Sequence, residues 1–110
     1  MKKVEAFIKE HRLDNVTLAL HRVEGVTGAT ISHVHGFGRG RLSENEPPQV
    51  EDFKRCVKLV LYCADDHVEA IVAAIQDKAH TGLRSDGKIF ILPVEDAIRI
   101  STGERGAGAV

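Results

Sequence analysis

The order of segments along this chain predicts an α+β sandwich, a βαββαβ arrangement in which one antiparallel sheet carries two helices on a single face. Three observations predict it. Apolar, β-branched segments with period-two alternation recur as strands. Stretches with apolar residues at helical spacing fall between the first and second of these, and again between the third and fourth. A long polar loop separates two halves of similar plan.

The first strand is Val4-Glu5-Ala6-Phe7-Ile8, which mixes alternation with apolar continuity. Leu13, Val16, Leu20 and Val23 then mark a helix, with Asp14 and Asn15 in its favourable first turn and Gly25 and Gly28 at its exit. Ala29 to His35 alternates and reads as the second strand. Residues 39–52 carry charge and two prolines with only Leu42 and Val50 apolar, the composition of an exposed loop. The third strand is Val57 to Cys63. Asp65 or Asp66 is placed to cap a second helix whose inner stripe is Val68, Ile71, Val72 and Ile75, with Gly82 as its stop. Lys88 to Pro93 forms the fourth strand, Ala97 to Ile100 a short last one, and residues 103–110 a flexible Gly/Ala tail. This is the ferredoxin-like order in a single domain, 1–110. The bare sheet face also looks apolar, through Val60 and Tyr62, so it is expected to pack on other subunits.

The bulk numbers exclude several classes. A chain of 110 residues buries enough surface for one core without metal or disulfide staples. A net charge of -1, with no block of like charge, gives no case for nucleic acid or an anionic membrane surface. No apolar run approaches spanning length, and the start Met1-Lys2-Lys3 leads into residues too charged for a signal peptide. Cys56 and Cys63 read as buried thiols in a reducing compartment, so a cytoplasmic protein is expected.

Few residues suggest chemistry. Thr81-Gly82-Leu83-Arg84-Ser85-Asp86-Gly87-Lys88 supports two readings: a helix stop followed by a tight turn, or an anion nest with Lys88 beside it. Arg99 is either an edge-strand surface residue or a second phosphate ligand. His33 and His35 share a strand face and are weak metal candidates without a third ligand. Cys56 follows Lys54-Arg55, but no base or oxyanion partner accompanies it, and no catalytic triad can be assembled. The expectation is a binding protein with no catalytic residues.

Taken together, the blocks Met1-Lys2-Lys3-Val4-Glu5-Ala6, Leu13-Asp14, Gly36-Phe37-Gly38-Arg39, Thr81-Gly82, Asp86-Gly87-Lys88-Ile89-Phe90, Pro93-Val94-Glu95, Ile98-Arg99-Ile100 and Thr102-Gly103-Glu104 resemble the PII signal-transduction proteins almost end to end. The resemblance implies a homotrimer that regulates nitrogen metabolism or a membrane transporter. It binds ADP, AMP or ATP in clefts between subunits and needs no other cofactor. Residues 39–52 become the arm that docks on a transporter or enzyme. By position, Thr30 and Tyr62 fall near the adenosine and Gly38, Arg39 and Gly40 line the other wall. Ser85, Asp86, Gly87 and Lys88 with Arg99 take the phosphates. Ser101 joins this set where the family has a second arginine, with Arg105 or Arg55 as substitutes. Members that bind 2-oxoglutarate carry glutamine at Gly40 and lysine at Cys56, and this chain has neither group. The loop also has no tyrosine, so uridylylation is not expected. The rival reading is a trimeric metal-tolerance protein of the CutA type using His33 and His35.

Overall fold

Alternation alone decides which residues of the central strands meet the helices. In the computed structural model, which describes residues 1–37 and 54–110, strand β1 (Lys2–Lys9) pairs antiparallel with β3 (Lys54–Cys63). The register sets Val4 against Leu61, Ala6 against Leu59 and Ile8 against Val57. All six are buried. Successive side chains leave a strand on opposite sides, so these residues form one continuous apolar surface. Helices α1 (Leu13–Leu20) and α2 (Val68–Ala79) cover it with Val16, Leu20, Val68, Ile71, Ile75 and Ala79. Strand β2 (Thr30–Gly36) adds to β3 and β4 (Gly87–Pro93) adds to β1. The order is β2-β3-β1-β4 with every neighbouring pair antiparallel, the predicted ferredoxin-like sheet.

Three local expectations need correction. Each helix is entered through a 3-10 turn, Glu10–Arg12 and Asp65–His67, so neither Asp65 nor Asp66 caps α2. Asp65 instead accepts a hydrogen bond from the Met1 ammonium at 2.8 Å, and that bond, with the charge behind it, holds its carboxyl below the usual range. Helix α2 ends at Ala79, because His80 is already extended, and Gly82 lies in the turn beyond. The last strand reduces to one bridge, Ile98 to Arg105. The chain doubles back there: Gly103 N–H donates to Arg99 O at 2.7 Å, which leaves no neighbour for a longer ladder. A 3-10 turn follows at Ala107–Ala109. No helix among the described residues is long and apolar enough to cross a membrane.

Among the described residues, no helix covers the other sheet face. Tyr62, Phe90 and Leu92 are 47%, 49% and 39% exposed although their strands are ordered and paired. Phe90 meets Phe7 edge to face with ring centres 6.2 Å apart. Beside them Glu5 is held by Lys58 at 3.1 Å and Lys3 at 3.3 Å, and the Lys58 bond does most to lower its carboxyl below the usual range.

Candidate functional site

Beyond β4 the chain crosses the end of the sheet, starting with Val94 N–H bonded to Met1 O at 3.1 Å. This crossing builds one wall of a groove of about 610 Å³. Thr30, Val60 and Tyr62 rise from the sheet, Ala97 and Ile98 come from the crossing segment, and Val110 closes one side. The half-exposed Tyr62 ring offers a flat apolar surface with a polar tip, suited to a heterocycle. Thr30 and Tyr62, both expected near an adenosine, therefore do share a cavity.

The Thr81–Lys88 turn is organised around Asp86. Its carboxylate accepts the Thr81 hydroxyl and the backbone N–H groups of Thr81 at 2.9 Å and Gly82 at 3.2 Å. Lys9 adds a positive partner at 3.2 Å, and His80 Nδ1 approaches to 3.4 Å. These bonds, the Thr81 hydroxyl foremost, hold the carboxyl well below the usual carboxylate range. Thus the amides of Thr81 and Gly82 already have an anion of the protein's own. What faces outward is the next stretch: Ser85 in a left-handed conformation (φ 64°), then Gly87 (φ 103°), then Lys88 on the open sheet face opposite Phe7. Lys88 has no ion pair among the described residues.

A pH dependence follows. A depressed folded-state pKa contributes stability that is present above the unfolded value, about 3.9, and is lost as pH falls toward the folded one. Denaturant unfolding of the parent and of Asp86→Asn should therefore differ by a constant amount at pH 6–8. The gap should shrink below about pH 4. A gap that persists unchanged in acid would mean that Asp86 acts through its shape and not its charge.

The expected ligands do not converge within one chain. Thr30 lies on edge strand β2 and Lys88 on the opposite edge strand β4, three strand spacings or about 14 Å across. Arg99 lies beyond the far end of β4 from Lys88, separated by about 17 Å of strand. Arg99 belongs instead to the groove end, where its Nη2 donates to Gly108 O at 3.3 Å. Ser101 is exposed in the turn that follows. Arg105, a candidate substitute for a second arginine, is engaged with Asp96 at 3.3 Å. Gly38, Arg39 and Gly40 lie outside the described residues, as does the 39–52 loop. Cys56 is half-buried on the open face, where its register partner on β2 is Val34. His33 approaches Glu10 at 3.7 Å, and the described residues contain no group of three or more metal-ligating side chains.

Some residues at these places carried no signal in the sequence. Lys9 reads as an ordinary strand residue, yet it reaches Thr81 and Asp86 at 3.2 Å each. Asp96 is an Asp beyond a strand, yet it organises the crossing segment by accepting from Ala97 and Gly106 amides at 2.8 and 3.1 Å. The Thr81/Asp86 spacing was the one available clue.

Comparison with known proteins points to one family. Residues 1–104 match the family model described as nitrogen regulatory protein P-II. A nitrogen regulatory protein P-II of Azospirillum brasilense is 46% identical over 114 residues, covering 100% of both chains. One from Cereibacter sphaeroides is 48% identical with the same coverage. Among solved structures, Arabidopsis thaliana PII bound to citrate superposes with a TM-score of 0.81 at 41% identity, covering 99% of this chain and 91% of that one.

Proposed function

This chain belongs to the nitrogen regulatory protein P-II family, and on that premise we propose that it is a trimeric signal regulator gated by adenine nucleotide. Proteins of this family are regulators and not enzymes. One observation carries the nucleotide reading: the groove of Thr30 and Tyr62 and the cradle ending in Lys88 sit on opposite edges of one sheet. A ligand touching both needs two copies side by side, the β2 edge of one against the β4 edge of the next. In that arrangement the adenosine lies in the groove, with Arg99 of the same copy near the phosphates. Ser85, Gly87 and Lys88 come from the neighbour. Ring closure of three copies also covers the open face with its exposed Tyr62, Phe90 and Leu92.

Asp86 holds the cradle's shape and does not touch the ligand, since its carboxylate is committed to Thr81 and Gly82. Nucleotide state is passed to a protein partner, a transporter or a metabolic enzyme, through the 39–52 loop. With no ammonium at Cys56 and no side chain at Gly40, 2-oxoglutarate lacks its counter-charges, so the nucleotide alone is the signal.

The decisive measurement mixes two defective variants. Lys88→Ala and Arg99→Ala should each weaken ADP binding by about 1.5–3 kcal/mol, the range for a hydrogen bond to a charged group. Unfolded and refolded together in equal amounts, they should regain tight binding in about a quarter of the clefts, those that draw an intact residue from each parent. No recovery in verified mixed trimers would place both residues in one copy's own site and overturn the two-edge arrangement.

A further inference from the structure

The groove end is held together by the last residues of the chain, and these are the ones that touch Arg99. Asp96 accepts the Gly106 amide at 3.1 Å and pairs with Arg105 at 3.3 Å, while Gly106 N–H also donates to Ala97 O at 3.0 Å. Gly106 adopts φ 88°, which turns the chain back toward the sheet. The 3-10 turn Ala107–Ala109 follows, closed by Ala109 N–H to Gly106 O at 2.9 Å. Two consequences meet there. Ala109 and Val110 become part of the groove wall, and Gly108 O accepts Nη2 of Arg99 at 3.3 Å.

A guanidinium on an exposed surface samples many rotamers, and fixing it costs free energy whenever it binds. One N–H anchored on a backbone carbonyl removes part of that cost in advance. Four of the five donors stay free, enough for a two-pronged grip on phosphate oxygens. Arg99 is also tied at its backbone, donating to Glu104 O at 2.9 Å and accepting from Gly103 at 2.7 Å. Both ends of the side chain are thereby referred to the same small turn.

We infer that residues 106–110 are a positioning element of the nucleotide site, with the Gly108 carbonyl aiming Arg99 at the phosphates and Ala109 and Val110 walling the groove. This rests on the nucleotide reading above. It assigns a role to a segment whose composition suggests only a loose end. The element discriminates by phosphate: its aim acts on ADP and ATP, and adenosine feels only the wall.

Two measurements test it. In nucleotide-free protein, arginine-detected NMR should show slowed rotation about the Arg99 Nε–Cζ bond, and removal of residues 107–110 should free it. Removal should also weaken ADP binding about tenfold and adenosine binding far less, and in an Arg99→Ala background the ADP loss should fall below about threefold. Gly106→Ala, strained at that φ, serves as a second variant that displaces the turn without deleting it, and its losses should follow the same pattern. Equal ADP losses in both backgrounds, or tighter binding after removal, overturn the inference, as does free rotation of Arg99 in the parent. A parent that holds Arg99 yet binds no adenine nucleotide overturns the nucleotide reading itself.

Discussion

Gly87→Ala is expected to cost at least about 3 kcal/mol of folding stability, read as a lowered denaturant midpoint at unchanged slope. Two penalties combine at this position. The backbone stands at φ 103°, which a residue with a Cβ adopts only under strain. An added Cβ would also lie 1.7 Å from the Phe7 carbonyl oxygen, a backbone atom of the β1–β4 ladder one pair from its end. A flexible side chain can step aside, but a ladder carbonyl moves only if the strands part. Gly82→Ala isolates the first penalty: its φ is 77° and its Cβ would meet nothing within 4 Å, so it should cost only about 1 kcal/mol. Equal costs for the two variants would show that the close approach to Phe7 is relieved at no expense. Because Gly87 also shapes the cradle beside Lys88, the variant that still folds should bind ADP poorly.

The second large effect concerns assembly. The parent should elute at three protomer masses by light scattering, and Phe90→Lys should elute at one. Phe90 is 49% exposed in the single chain and meets Phe7 edge-on, so a lysine there costs the protomer little. Closing three copies over it would strip water from three ammonium groups, each opposite a Glu5 whose carboxylate is already shared by Lys3 and Lys58, a penalty of several kcal/mol each. Circular dichroism should stay native while ADP binding disappears, since no copy owns a whole cleft. A Phe90→Lys chain that remains trimeric would mean that another surface holds the assembly.

The sheet was legible because burial imposes alternation. Val57, Leu59 and Leu61 against Val60 and Tyr62 separates the two faces before any fold is known, and the register realises that division. Helix entries were not legible: Glu10–Arg12 and Asp65–His67 are short polar turns with no buried residue to mark them. Ala97 to Ile100 alternates like a strand, but a strand needs a partner, and composition does not say whether one is near. At the site, Asp86-Gly87-Lys88 left a tight turn and an anion nest both open, whereas the path of the turn decides that Asp86 accepts from Thr81 and Gly82. Nor does spacing along a chain reveal that Thr30 and Lys88 occupy opposite edges, because that follows from the strand order alone.

That separation has an evolutionary reading. In the two-copy arrangement proposed above, a change in the groove around Thr30 and Tyr62 would be compensated at Ser85 or Lys88, and both halves are written in one gene and appear in every copy at once. Coupled substitution is therefore available without a second locus. Across related sequences, such pairs should covary as touching residues do. Placed on one chain they would mark a contact spanning the full width of the sheet, a distance the fold forbids. A pair of positions that covary but cannot touch within the protomer is the record, left in sequence, of an edge meeting its neighbour's opposite edge.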